Sequence, residues 1–178
     1  MLRPSIKRIG SLKYPLIDNP FYDEKGKLIG ENKLVELILE AENESNQNIF
    51  GGEFYIPIHS AVIFGSLTER YKRKKIRLNP NSDIDLFLQV ENTLKEQIKI
   101  KYGSIEDHES FFLYSAFTIE LINVLKEKYS SFRKNNILGL FFLKEIDIVI
   151  SQKRLGEWEM DQGIGFYIES YYPLNLER

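Results

Sequence analysis

Asp83-Ile84-Asp85-Leu86-Phe87-Leu88-Gln89-Val90 begins by alternating carboxylate and aliphatic side chains and then turns apolar. The pattern reads as a β-strand. Successive side chains of a strand point to opposite faces, so Asp83 and Asp85 share one face while Ile84 and Leu86 point into a core. Two carboxylates side by side repel, and burying them unpaired costs on the order of several kcal/mol. A divalent cation that prefers hard oxygen ligands is the simplest neutraliser. Glu145-Ile146-Asp147-Ile148-Val149-Ile150 repeats the device, with Asp147 on one face and Ile146, Ile148 and Ile150 on the other. If the two strands are neighbours, Asp147 joins Asp83 and Asp85 around one or two metal ions. Two-metal sites hold their ions about 3.5–4 Å apart and clamp the attacking and leaving oxygens of a displacement at phosphorus. Magnesium suits such a site, because it accepts a few carboxylates and keeps positions open for water and phosphate. Taken singly, either strand is more often an ordinary solvated sheet face.

Upstream, Ile56 to Phe64 is mostly β-branched and aromatic and reads as a strand running into Gly65-Ser66. Glycine lets the backbone turn sharply and approach a ligand closely. If a helix starts at Leu67, its free N–H groups face any phosphate there, and the Ser66 hydroxyl adds a donor. Leu67 to Lys75 reads as a short helix with a basic end, and Asn79-Pro80-Asn81-Ser82 as a turn. Leu34, Leu37, Ile38 and Ala41 recur at helical spacing, which predicts an amphipathic helix from Glu31 to near Asn43, broken by the polar stretch Glu44–Gly52. Ser104 and Asp107 resemble a capping box. The helix behind them carries Leu113, Phe117, Leu121, Val124 and Leu125 on one stripe and ends at Asn135-Asn136. Ile137 to Ile150 is strand-like, as one bent strand or two short ones. Residues 151–178 are the least legible. The expectation is an α+β fold, with an irregular N-terminal arm over 1–30 and one domain over 31–178.

Bulk properties agree with a folded, soluble chain. Of 178 residues, 43% are apolar and 28% charged, enough for both a core and an ordinary surface. A net charge of -2 gives no global pull toward nucleic acid. The absence of cysteine excludes a disulfide scaffold, a thiolate zinc site and a cysteine nucleophile. The N-terminus shows no signal-peptide core, and the longest apolar run, Ile137 to Leu143, is too short to cross a bilayer. A cytoplasmic protein with no membrane association is expected.

Val62-Ile63-Phe64-Gly65-Ser66, then Ser82-Asp83-Ile84-Asp85-Leu86, then Ile146-Asp147-Ile148, in that order, resemble the signature of the DNA polymerase beta-like nucleotidyltransferase superfamily. The resemblance spans residues 56–150. It implies a mixed β-sheet flanked by helices, and metal-dependent transfer of a nucleoside monophosphate from a nucleoside triphosphate with release of pyrophosphate. By matching position, Gly65 and Ser66 would hold the triphosphate and Asp83 and Asp85 would bind metal. Asp147 would act as a further ligand or as the base for the attacking hydroxyl. The implied cofactor is Mg2+, as two ions, and the donor favoured is ATP. Some small members adenylylate proteins or drugs; others are antitoxins beside a helical toxin, so an antitoxin-like or regulatory binding module is the alternative. Two departures stand out: a longer spacer between Ser66 and Asp83, and no following helical domain to bind an acceptor. The second departure implies that a protein partner or a second subunit completes the site.

The spacer carries Arg70, Lys72, Arg73, Lys74, Lys75 and Arg77, six cations within eight residues. They suit a leaving pyrophosphate, with Arg70 favoured because it lies nearest Ser66. A nucleic-acid backbone or a plain solvated loop are the other readings, the former disfavoured by the acidic balance. His59 and His108 lie too far apart in sequence to suggest zinc and read as structural. Ser66 has no recognisable histidine partner, and no P-loop is present. The aromatic tail of Trp158, Phe166, Tyr167, Tyr171 and Tyr172 reads as core or interface material, with base stacking as the less favoured use.

Overall fold

Leu34, Leu37, Ile38 and Ala41 form the expected buried stripe, but the helix they begin, α1 (Glu31–Phe50), runs seven residues past Asn43. The stretch Glu44–Gly52 does not break it, because its polarity is one-sided: Ser45, Asn46 and Phe50 continue the buried face. The true stop is Gly51-Gly52, both at positive φ (59° and 85°), with the Gly51 N–H closing on the Gln47 carbonyl at 2.9 Å. The computed structural model describes residues 31–64, 83–103, 106–135, 145–161 and 172–177. The arm expected over 1–30, the helix over Leu67–Lys75, the turn at Asn79–Ser82 and the cap at Ser104 lie outside the described residues.

After α1 come β1 (Ile58–Phe64), β2 (Ile84–Val90), α2 (Leu94–Tyr102), α3 (Asp107–Asn135), β3 (Ile146–Ser151), α4 (Leu155–Asp161) and β4 (Tyr172–Leu174). The fold is α+β, with a mixed sheet in the order β3-β2-β1-β4. β1 runs antiparallel to β2 and β4, whereas β2 and β3 are parallel. A parallel pair needs a long crossover, and α2 and α3 supply it. β1 starts two residues later than its apolar run because Pro57 has no N–H and the Ile56 backbone is occupied elsewhere. Its N–H donates to Asn46 Oδ1 (2.7 Å), and its carbonyl accepts from Asn46 Nδ2 (3.0 Å).

One face of the sheet carries the core. Ile58, Ala61 and Ile63 of β1, Ile84, Leu86, Leu88 and Val90 of β2, and Ile146 of β3 pack with the α1 stripe and with Phe117, Leu121, Val124 and Leu125 of α3. Phe50 stacks on Phe117 with ring centroids 6.0 Å apart, joining the end of α1 to α3. α2 buries only Leu94 and Ile98, and its Gln97 clamps the Tyr55 backbone through N–H (3.0 Å) and carbonyl (2.6 Å). Tyr114 reaches the end of β2, donating to the Val90 carbonyl at 3.1 Å; burial pushes its hydroxyl pKa up to about 12. Among the described residues, no helix is long and apolar enough to cross a membrane.

Candidate functional site

The opposite face of the sheet is where the carboxylates stand. Alternation puts Ile84, Leu86, Ile146 and Ile148 on the core side, and therefore Asp83, Asp85 and Asp147 on the other. The parallel register makes Asp85 and Asp147 direct cross-strand partners, flanked by the pairs Ile84–Ile146 and Leu86–Ile148. The register that turns these four aliphatic side chains to the core face thus sets two acids side by side. Asp85 is half-buried and Asp147 exposed.

Asp83 lies one residue before β2, on the same face as Asp85. The Ile84 N–H donates to the Glu145 carbonyl at 2.9 Å, so the two chains are already joined at the row below the Asp85–Asp147 pair. One carboxylate oxygen of Asp83, Oδ1, is buried and has no hydrogen-bond partner among the described residues. A buried carboxylate oxygen without a donor is costly, and a cation or a donor on a ligand would relieve it. The donor set at this corner is all hard oxygen, the chemistry magnesium selects. The side chains do not converge into a finished cage: among the described residues, no group of three or more His, Cys, Asp or Glu is close enough to hold a metal ion.

On its other side Asp85 is partnered by Phe64, the last residue of β1 and the one immediately before Gly65. One row across the sheet therefore reads Phe64, Asp85, Asp147, and the next reads Val62, Phe87, Val149. α4 folds back over these rows. Its Trp158 lies 6.4 Å from the Phe64 ring and 5.7 Å from the Phe87 ring, centroid to centroid. Two bonds start α4: the Trp158 N–H donates to the Arg154 carbonyl (2.9 Å), and the Arg154 N–H to a Glu157 carboxylate oxygen (3.2 Å).

The structure brings together Asp85 and Asp147, with Asp83 beside them. Gly65, Ser66 and Arg70, with the rest of the basic spacer, lie outside the described residues, as do Phe166, Tyr167 and Tyr171. Trp158, half-buried, packs against Phe64 and Phe87 at the edge of the acidic row. Phe87, on the acidic face of its own strand, is the signal that something apolar must cover that face. His59 and His108 stand apart, each exposed and beside a carboxylate, Glu91 at 3.7 Å and Glu106 at 3.2 Å. Clefts of about 630 and 440 Å³ run along α1, lined among others by Glu40 and Asn43, and touch neither the aspartates nor Trp158. Comparison with protein-family models, curated proteins and solved structures returns no match to this chain.

Proposed function

We propose that this chain is a metal-dependent nucleotidyltransferase, moving a nucleoside monophosphate from a nucleoside triphosphate, ATP by preference, to an acceptor hydroxyl in the cytoplasm. The observation that carries the reading is the cross-strand pairing of Asp85 with Asp147 beside the orphaned carboxylate oxygen of Asp83. Like charges that the strand register sets side by side are a feature of sites that take up a cation. Asp83, Asp85 and Asp147 would hold Mg2+. Bound there, it would neutralise the carboxylates and draw charge from the phosphate oxygens.

The remaining roles fall to the chain. Gly65 and Ser66, next to the acidic row through Phe64, offer backbone and hydroxyl donors to the triphosphate, and Arg70 a cation. The acceptor oxygen attacks the α-phosphorus and its proton passes to Asp147, the exposed member of the pair. The bond from the α-phosphorus to the bridging oxygen breaks, and pyrophosphate leaves with that oxygen.

Calorimetric titration of ATP, GTP, CTP and UTP, with and without magnesium, tests the reading on the wild type and on the Asp83→Ala/Asp85→Ala double variant. Magnesium-dependent binding of one nucleotide, lost in the folded variant, is the expected result. Absence of binding to folded wild type under every condition would overturn it and favour a partner-binding module.

A further inference from the structure

We propose that Trp158 is the stacking platform for the purine base of the donor nucleotide, an inference that rests on the nucleotidyltransferase reading. The indole packs against Phe64, which pairs with Asp85 across the sheet, and Phe87, which follows Asp85 on the same face of β2. Phe87 stands two residues along β2 from Asp85, roughly 6.6 Å away, so the indole lies next to the acidic row. A triphosphate held at the acidic corner through bound Mg2+ would therefore leave the base beside the indole.

Geometry and burial allow it. Phe87 is 1% exposed, covered by α4, yet Trp158 itself is only half-buried. Its contacts with Phe64 and Phe87 are tilted or edge-on, at interplanar angles of 69° and 55°, so neither is a parallel stack on the indole. The part of the indole left exposed is open to stacking with a base, an interaction every base can make. A residue needed only to fill the core would more often be fully covered, as Phe87 is.

Trp158 is the sole tryptophan of the chain, so its emission reports on this place alone. The test titrates ATP and inorganic tripolyphosphate, each with magnesium, into wild type, Trp158→Phe and Trp158→Ala. Both calorimetry and tryptophan emission are recorded for the wild type. ATP should change the emission and tripolyphosphate should not. Trp158→Ala should weaken ATP about five- to hundredfold and leave tripolyphosphate unchanged, with Trp158→Phe retaining most of the affinity. Equal ATP affinity in wild type and Trp158→Ala would overturn the inference and leave the enzyme reading standing. Parallel loss of both ligands would also overturn it, assigning Trp158 to the packing of α4. Failure of wild type to bind either ligand would sink both readings.

Discussion

Replacing Asn46 by alanine should be among the most destabilising single changes in this protein. The Asn46 amide sits near the end of α1 and brackets the backbone of Ile56, accepting from its N–H at 2.7 Å and donating to its carbonyl at 3.0 Å. Its Nδ2 also donates to the Glu42 carbonyl at 2.9 Å. Asn46 is 3% exposed and Ile56 0%, so water cannot replace the lost amide. Two backbone groups of Ile56 would be orphaned, at about 1–3 kcal/mol each. Glu42 keeps its helical partner. The expected loss is therefore ~4 kcal/mol, or roughly 8–16 °C in Tm for a chain of this size. Thermal melts and urea denaturation measure it. Gln97→Ala is the internal control, because Gln97 makes the same pair of bonds to Tyr55, which is 40% exposed. There water can take over, and the cost should stay under about 1 kcal/mol. A loss below that value for Asn46→Ala, or equal losses for the two variants, would refute the claim that burial of the bonded backbone sets the cost.

Asp147→Asn removes one of two like charges on adjacent strands; at ~5 Å in a water-like medium that relieves about 0.8 kcal/mol. The metal-free variant should melt roughly 2–3 °C above wild type and gain less from added magnesium, and a variant that melts lower without metal would refute the repulsion. The second prediction is pH-dependent. Tyr114 ionises at about 12 in the fold against 10 for the free side chain, raised by burial. A raised pKa contributes stability that is whole below pH 10 and is lost as pH climbs toward 12. Wild type should exceed Tyr114→Phe by about 1 kcal/mol at pH 9, for the bond to the Val90 carbonyl, and should lose that lead by pH 11–12; a gap independent of pH would refute it.

The parts of the fold that were legible in the sequence are those whose period is visible to the eye. The stripe Leu34–Ala41, the alternation after Asp83 and the face from Leu113 to Leu125 each repeat long enough to fix an element. Where elements end was less legible, because the decision is tertiary. Asn43 looked like a stop only because Asn46 and Ser45, polar in composition, are buried in the structure. α2 has no legible period, since two apolar residues, Leu94 and Ile98, are all that it buries. The carboxylates were legible as residues and not as a pair: alternation gives the face, whereas the register between β2 and β3 depends on a crossover of more than 50 residues. Trp158 was legible as an aromatic without a place.

That register argues that core and site are one device. In a strand pair, a slip of one residue moves every side chain to the other face. Slipping β3 against β2 in that way would set Ile146 and Ile148 on the acidic side and drive Asp147 into a face built from Ile84, Leu86 and Leu88, all 0% exposed. A slip of two would keep the faces but carry Asp147 out of line with Asp85, breaking the Ile84 N–H bond to the Glu145 carbonyl. Burial of Ile84, Leu86 and Ile146 fixes the register that holds the two acids in line. Weakening the core face of β3 should therefore act on the site before it unfolds the chain. Ile148 is the place to test it, since it is half-buried and sits one residue from Asp147, beside Leu86. Ile148→Ala should cost about 2–3 kcal/mol, near the low end for a truncated core aliphatic, and should weaken magnesium-dependent nucleotide binding although it touches no ligand. A variant that loses the stability and keeps full binding would show that the register is held elsewhere.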